Sequence, residues 1–301
     1  MGDRILDLSE RPFRLRVNNS LLVLESEGFS TPPIPLADLA VVIVSHPQIS
    51  FTQAVLSGLA SAGAAFVTCD TKHRPVAMLL PLVTHSLQAE RFAAQAALSV
   101  PARKQIWKQI IQAKIRAQGQ VLRQAGNDDH GLIALSSKVR SGDPGNREAA
   151  AAQTYWKFLF GSHKFRRNDE LDPYNSCLDY GYAVLRAIVA RALCSSGLNP
   201  TLGIHHHNRY DPFCLADDLM EPFRPIVDGA VIRLVASRST ALQLDSAAKQ
   251  GLLSELLGRF ESGGESRTLF DWLARTSASL ANIILGQHVA LEIPELRHAS
   301  P

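Results

Sequence analysis

Cysteine is scarce in this chain of 301 residues, and the cysteines that are present do not have the spacing of a zinc ribbon. There are four, and none belongs to the Cys-x-x-Cys pair that such a site needs. We therefore expect each of them to be a small buried residue of a protein in a reducing compartment. The four are Cys69, Cys177, Cys194 and Cys214.

Long apolar runs are absent as well. No stretch reaches the roughly 18 apolar residues that a membrane-spanning helix needs, and the first residues, MGDRILDLSERPFRLRV, contain no apolar core of a secretory signal. Hydrophobic residues make up 46% of the chain and charged residues 20%, which is typical of globular proteins in water. These features predict a cytoplasmic protein with no membrane association.

The excess of positive charge is small, because 31 lysines and arginines face 28 aspartates and glutamates. A net charge of +3 does not by itself indicate a nucleic-acid partner, so local clusters matter more. Two basic clusters would suit a ligand with several phosphates, and a solvated helix surface is the alternative. The first cluster comprises Arg103, Lys104, Lys108, Lys114, Arg116 and Arg123, and the second His163, Lys164, Arg166 and Arg167.

The hydrophobic pattern changes from strands to helices along the chain. Apolar and polar residues alternate on both sides of Asn18 and Asn19 in FRLRVNNSLLVLES, as in a hairpin. Two apolar runs are typical of buried strands, DLAVVIVS and AAFVTCD. SFTQAVLSGLASAG has helical spacing, with Ser50 as a possible N-cap. The chain is long enough for about two domains. We predict an α+β fold with segregated parts: a small β-rich domain over residues 1–78 and a larger all-α domain over residues 79–301.

Helical spacing dominates the second part. ARKQIWKQIIQAKIRAQGQVLRQ and PGNREAAAAQTYWKFLF each predict a helix, the latter beginning near Pro144 or Asn146. Another begins with Asp172 as N-cap and Pro173 as first helical residue, and ends at Gly197. Two further helices are predicted for SAAKQGLLSELLGRF and TLFDWLARTSASLANIILGQ.

Acidic and histidine residues are concentrated in GIHHHNRYDPFCLADDLMEPFRP, residues 203–225. On a helix, Asp218 and Glu221 would share a face, and so would Asp217 and Glu221. Two such carboxylates can bind Mg²⁺ or Mn²⁺, although helical carboxylate pairs are also common on solvated faces. In an extended segment, either His205 and His207 or His206 alone would face one site. The spacing does not choose between these alternatives.

Glu148 is the single acidic residue beside the alanines of NREAAAAQTYW. The small side chains allow another element to approach this helix closely, and a single acidic group buried there would be unusual. The alternative is a favourable interaction between the carboxylate and the positive end of the helix dipole.

Three of these motifs together resemble the CRISPR-associated adaptation integrases, the subunits that insert new spacers into CRISPR arrays. They are REAAAAQTYW, DPYNSCLDYGYAVL and GIHHHNRYDPFCLADDLMEPFRP, and the resemblance extends over almost the whole chain. It implies a metal site with Glu148, His206 and Glu221 as ligands of Mg²⁺ or Mn²⁺. It places Asp218, rather than Asp217, beside them as a fourth catalytic residue.

The resemblance also implies an activity and partners. The activity is a metal-dependent transesterification that joins the 3′-hydroxyl ends of a captured DNA fragment to the CRISPR repeat. The implied partners are double-stranded DNA, a second copy of the chain and a small ferredoxin-like adaptation subunit. The short first domain and MEPFRP most resemble the branch that accompanies a single large RNA-guided effector nuclease, a further possible partner. The alternatives are a metal-dependent endonuclease on branched DNA and a non-catalytic DNA-binding scaffold.

Overall fold

The computed structural model describes residues 2–70, 75–81, 85–161, 165–167, 169, 172–238 and 242–298. The first part of the chain is rich in strands and has one short α-helix, α1 (Gln53–Ser61). Its strands are β1 (Arg4–Leu8), β2 (Arg14–Asn18), β3 (Leu21–Ser26), β4 (Phe29–Ser30), β5 (Ile34–Pro35), β6 (Leu39–Val44), β7 (Ser50–Phe51), β8 (Ala65–Cys69) and β9 (Pro75–Leu79).

Two sheets form this part, and a layer of apolar side chains lies between them. One sheet has the order β1-β6-β8-β9, with β9 antiparallel to β8, and the other has the order β4-β3-β2-β7, with β5 also paired to β3. The predicted hairpin joins β2 to β3, but its left-handed residues are Asn19 and Ser20, one position later than predicted. Ser50 is not a helix cap: it pairs with Arg14 in the sheet, and α1 begins after Thr52.

Helices form most of the second part, which confirms the predicted fold class. The central one begins as predicted, because Asp172 accepts a 2.9 Å hydrogen bond from the backbone nitrogen of Tyr174, and it ends just before Gly197 in the left-handed region. The helices are α2 (Gln88–Ala96), α3 (Val100–Gly126), α4 (Leu132–Ser136), α5 (Arg147–Leu159), α6 (Pro173–Ser195), α7 (Cys214–Met220), α8 (Arg224–Ser237), α9 (Ser246–Leu256) and α10 (Leu269–Ile284).

A small sheet accompanies these helices and was not predicted. It has the order β11-β10-β12, formed by β10 (Arg259–Ser262), β11 (Glu265–Thr268) and β12 (Arg297–His298). The helix predicted for SAAKQGLLSELLGRF reached Phe260, and this end was wrong. In the structure α9 ends at Leu256, and Phe260 is a buried residue of β10. The two glycines between β10 and β11 have positive φ angles, 57° and 82°, and allow the tight turn.

The β-rich part is packed directly on the helical part. Val41 and Val67 lie in the same apolar core as α6. The Tyr180 hydroxyl of α6 donates to the Asp7 carboxylate at 2.6 Å, and Arg191 Nε donates to the Gly63 carbonyl oxygen at 2.6 Å. The predicted boundary after residue 78 falls within β9, and the division into two domains stays a prediction. Among the described residues, no helix has the length and apolar character needed to cross a membrane.

Candidate metal centre

The carboxylate of Asp218 organises the histidine segment. Asp218 lies on α7 and is fully buried. Its Oδ2 accepts hydrogen bonds from the backbone nitrogens of Ile204 at 2.6 Å and His205 at 2.8 Å. Its Oδ1 accepts one from the backbone nitrogen of His206 at 3.2 Å and lies 2.6 Å from Nδ1 of the same imidazole. Four contacts to one buried carboxylate therefore fix both the backbone of this segment and one ring.

The His206 ring is held in an orientation that suits a metal ligand. Because Nδ1 contacts Asp218, Nε2 is the ring nitrogen left to bind another group, as in carboxylate–histidine–metal arrangements. The hydrogen bond with Asp218 raises the pKa of His206, burial opposes this rise, and the charge of Glu221 adds to it. Glu221 therefore lies within electrostatic range of the ring.

The neighbouring histidines have other environments. The His205 ring stacks on Trp107 of α3, with centroids 4.1 Å apart and planes inclined by 4°. Burial lowers the pKa of His205, an effect that the charge of Asp218 opposes. His207 is exposed, and its Nδ1 lies 2.8 Å from the carbonyl oxygen of His206. Of the three rings, that of His206 is the one bonded to a carboxylate, which favours it as the histidine of the site.

Glu148 and Glu221 meet at the ammonium of Lys114. Nζ of Lys114 lies 2.7 Å from Oε1 of Glu148 and 2.7 Å from Oε2 of Glu221. Glu148 is held in the first turn of α5, where Asp143 accepts hydrogen bonds from the backbone nitrogens of Arg147 at 3.0 Å and Glu148 at 2.9 Å. Glu221 begins a short 3₁₀ turn directly after α7. The fold thus brings together the acidic residues of two separate sequence motifs.

The electrostatics of this group are those of a buried ion-pair network. Burial raises the pKa of Glu221, but the charges of Lys114 and Arg224 outweigh it and the pKa is lowered. Burial lowers the pKa of Lys114, but Glu221 and Glu148 outweigh it and the pKa is raised. Nε of Arg224 lies 2.9 Å from Oε1 of Glu221. Glu221 therefore carries its charge inside the protein because Lys114 and Arg224 balance it.

The donor set fits a divalent cation. Two carboxylates and one imidazole are ligands that Mn²⁺ accepts, and the oxygens also suit Mg²⁺. Oε2 of Glu221 is buried, and in the described part of the chain its close contact is the 2.7 Å ion pair with Lys114. Within the part of the chain that the structure describes, no three such residues already stand close enough to hold a metal ion. The lysine ammonium lies between the two glutamates instead.

Asp217 belongs to a different interaction. Its carboxylate forms a two-pronged ion pair with Arg186 of α6, at 2.5 Å to Nε and 2.9 Å to the terminal nitrogen. Burial raises the pKa of Asp217 more than Arg186 lowers it. Of the two aspartates that spacing could not separate, Asp218 contacts His206, and Asp217 stabilises the packing of α7 on α6.

The basic residues of α3 do not form a single face. Four of the six contact other groups of the protein, and one of these four, Lys114, lies between the two glutamates of the site. In the described residues, no carboxylate pairs with Lys104 or Lys108. The engaged residues are Arg103 with the carbonyl oxygen of Gly203 at 3.1 Å, Lys114 with the two glutamates, Arg116 with Glu295 at 2.8 Å, and Arg123 with Asp129 at 3.0 Å.

The second basic cluster is described only in part. His163 and Lys164 lie outside the described residues. Arg167 donates to Oδ1 of Asn175 at 2.7 Å and pairs with Asp179 at 2.5 Å. Within the described residues this cluster contributes to packing at the start of α6.

A buried carboxylate behind the site was missed by sequence analysis. Asp228 of α8 accepts a hydrogen bond from the Tyr155 hydroxyl at 2.7 Å and another from the Tyr182 hydroxyl. Burial raises the pKa of Asp228 to about 6, although both hydroxyl groups oppose this rise. Tyr182, Tyr180 and Asn175 are all buried and hydrogen-bonded within the protein. The sequence does contain a sign of this buried carboxylate, because Asp228 is the one charged residue among the apolar residues of PIVDGAVI.

Comparisons with known proteins give one answer. Residues 8–256 match the model of the family described as CRISPR associated protein Cas1. The CRISPR-associated endonuclease Cas1 of Neisseria meningitidis serogroup C (strain 8013) is 40% identical over 245 residues, which are 81% of this chain and 80% of the relative.

Solved structures share the fold. A casposase bound to integration product has a TM-score of 0.79 at 24% identity, covering 96% of this chain and 93% of that one. A Cas6-RT-Cas1–Cas2 complex has a TM-score of 0.76 at 21% identity, covering 96% of this chain and 35% of that one. The family match and the identity to the Neisseria relative together show that this chain belongs to the CRISPR-associated Cas1 family of endonucleases.

Proposed function

We propose that this chain is the integrase of CRISPR adaptation, which joins the 3′-hydroxyl ends of a captured DNA fragment to the CRISPR repeat by transesterification. The observation that carries the proposal is the convergence of Glu148 and Glu221 on one cationic position, with Glu221 in electrostatic range of an imidazole that Asp218 orients. The solved casposase with a similar fold is bound to an integration product, which supports strand joining as the reaction. The curated relatives are named endonucleases, which argues against a non-catalytic scaffold.

In this proposal Glu148, His206 and Glu221 hold one Mg²⁺ or Mn²⁺ ion. When bound, the metal supplies positive charge that polarises a phosphoryl oxygen and stabilises the attacking or leaving oxygen. The protein supplies in-line positioning, which phosphoryl transfer requires more than covalent chemistry. Asp218 fixes the ring of His206, and Arg224 holds Glu221 in place through its 2.9 Å ion pair. Both residues act through the ligands rather than on DNA.

A histidine scan tests the ligand assignment. His205→Ala, His206→Ala and His207→Ala are compared under saturating Mn²⁺ in an integration assay with the small adaptation subunit. We expect His206→Ala alone to be inactive, because its ring is bonded to Asp218 while those of its neighbours stack on Trp107 or face solvent. An inactive His205→Ala beside an active His206→Ala would move the assignment by one residue. Full activity of all three variants would remove histidine from the site.

A second candidate reaction is hydrolysis of branched DNA at the same site, with water in place of the 3′-hydroxyl. The name of the curated relatives, endonuclease, favours this alternative. Branched DNA with labelled ends separates the two reactions. Joined strands support the integrase, and products that are cut but never joined support the endonuclease.

DNA would reach the site along the exposed side of α3. Lys104 and Lys108 carry charges that no carboxylate neutralises in the described residues, whereas Arg116 pairs with Glu295. Replacing both lysines by alanine should therefore weaken DNA binding and lower its salt dependence by up to about two phosphate contacts. Arg116→Ala is the matched control and should leave the salt dependence near that of the unmodified protein. An unchanged slope in the double variant would place DNA elsewhere.

The assembly is proposed from the family. The family implies a homodimer that binds a small ferredoxin-like adaptation subunit, and a solved complex with a similar fold contains Cas1 and Cas2, which supports the contact with a second subunit. Residues 1–78 would form the dimerisation domain and residues 79–301 the catalytic domain. The MEPFRP motif and the short first domain further suggest the branch that works with a single large RNA-guided effector nuclease. Sedimentation of the full chain with and without the small subunit tests both the homodimer and its binding of that subunit.

A further inference from the structure

Lys114 occupies the position between the two glutamates that a divalent cation would need. Its side chain is 14% exposed, and its Nζ lies 2.7 Å from an oxygen of each glutamate. A divalent cation binds carboxylate oxygens at about 2.0–2.2 Å. An ion bound to the same two oxygens would therefore lie in contact with the ammonium, and the two like charges would repel each other. The ammonium and the ion cannot share this position.

An alternative partner for the ammonium lies one turn further along α3. Gln118 is buried, and its Oε1 has no hydrogen-bond partner among the residues that the structure describes. Residues four apart on a helix are neighbours on its surface, within reach of a long, flexible lysine side chain. A cavity of about 210 Å³ is lined by both Lys114 and Gln118, and by Trp156, Tyr182, Glu221 and Arg224. There is space for the side chain to turn, and an acceptor to receive it.

We propose that Lys114 is an internal counter-ion that pairs Glu148 with Glu221 in the metal-free protein, and that a binding Mg²⁺ or Mn²⁺ ion displaces its ammonium towards Oε1 of Gln118. The inference rests on the proposed metal site and deepens it. Glu221 is buried and the Glu148 side chain is 28% exposed, and without the ammonium between them the two carboxylates would repel each other. The lysine therefore stabilises the fold before metal arrives. The same lysine competes with the metal, and the affinity of the protein for the ion includes the cost of moving it.

Lys114→Met in the full chain is the direct test, because methionine fills similar space without charge. Mn²⁺ affinity is measured by isothermal titration calorimetry, and melting temperature is measured with and without Mn²⁺. We expect the variant to bind Mn²⁺ about tenfold more tightly, within the usual range of coupling between two sites. Without metal, the variant should melt at a lower temperature than the unmodified protein. Its melting temperature should also rise more when Mn²⁺ is added. A residue that only supports the site would give weaker binding instead.

Two further variants sharpen the test. Lys114→Arg keeps the charge and should not bind Mn²⁺ more tightly than the unmodified protein. Gln118→Met removes the acceptor and should weaken Mn²⁺ binding while the metal-free melting temperature stays near its normal value. If Lys114→Met does not fold, Gln118→Met decides alone, and unchanged Mn²⁺ affinity there overturns the inference.

The outcomes separate this inference from the metal site on which it rests. Mn²⁺ binding to the unmodified protein, with equal or weaker binding to Lys114→Met, overturns the displacement of the lysine and leaves the metal site intact. Absence of Mn²⁺ binding in both proteins overturns the metal site and the inference together.

Discussion

Asp217 and Asp218 offer a matched pair of substitutions with different expected outcomes. They are adjacent aspartates on the same helix, and truncation to alanine removes the same atoms from each. Asp218→Ala removes the acceptor of three backbone nitrogens and one imidazole nitrogen. Asp217→Ala removes an ion pair with Arg186, whose side chain is 37% exposed. The comparison isolates what the buried carboxylate does for the histidine segment.

The magnitudes differ because the environments differ. A hydrogen bond to a charged group contributes about 1.5–3 kcal/mol. The simple sum for the four contacts of Asp218 is therefore an upper limit to the loss of unfolding free energy in Asp218→Ala. Water can reach part of the exposed histidine segment after truncation and offsets some of the loss. We expect Asp218→Ala to lower the free energy of unfolding by about 3–5 kcal/mol, as for other broken buried charge networks. Asp217→Ala should cost about 1 kcal/mol, as for a partly exposed pair.

Urea denaturation monitored by circular dichroism measures the free energy of unfolding, and calorimetry measures Mn²⁺ affinity. Asp218→Ala should also weaken Mn²⁺ binding by about 10–100-fold, the usual effect of removing a group that orients a ligand. Asp217→Ala should leave Mn²⁺ affinity nearly unchanged. Equal losses of stability in the two variants, or unchanged metal affinity in Asp218→Ala, would refute the role assigned to the Asp218 carboxylate.

Three further predictions concern residues around the site. Because the pKa of Asp228 is raised to about 6 in the folded protein, its stabilising effect is greatest at low pH and is lost as pH rises through about 6. The free energy of unfolding of the unmodified protein, measured by urea denaturation, should therefore fall by about 1 kcal/mol between about pH 5 and pH 7.5, and Asp228→Asn should abolish this fall. Gly203→Ala places a Cβ in steric clash with the His206 carbonyl oxygen, so the histidine segment must shift, and the variant should weaken Mn²⁺ binding in calorimetry and lower the melting temperature. Gly181→Ala places one against Val227 and should lower the melting temperature by several degrees, while Gly181→Ala combined with Val227→Ala should recover part of it.

Local chemistry explains the parts of the fold that the sequence predicted well. The start of α6 depends on Asp172 and Pro173, which act within one turn, and the structure has the expected cap. The strand β6 was predictable because six consecutive apolar residues are buried on both faces of a sheet. The hairpin of β10 and β11 was missed because its few residues alternate too briefly to distinguish a strand from the end of a helix.

The histidine segment shows where local patterns stop being informative. Residues 203–213 form neither an α-helix nor a strand, so neither periodicity assigns a direction to the three rings. Their orientation depends on hydrogen bonds to a carboxylate twelve to fourteen positions later. Spacing alone could not select His206 or Asp218, and the resemblance to a family was needed to choose them. The geometry of Asp218 supplies the physical reason for that choice.

Lys114 shows the opposite case, in which a pattern was present but was interpreted as part of a phosphate-binding cluster or of a solvated surface. It lies seven residues after Trp107 and three after Ile111, at the spacing of one helix face, and both of those residues are buried. Arg116, two residues further on, points the other way and pairs near the surface. A lysine on an apolar face requires an acidic partner, because an isolated buried ammonium is unstable. The sequence therefore implied a carboxylate at Lys114, but only the fold could show that two glutamates share it.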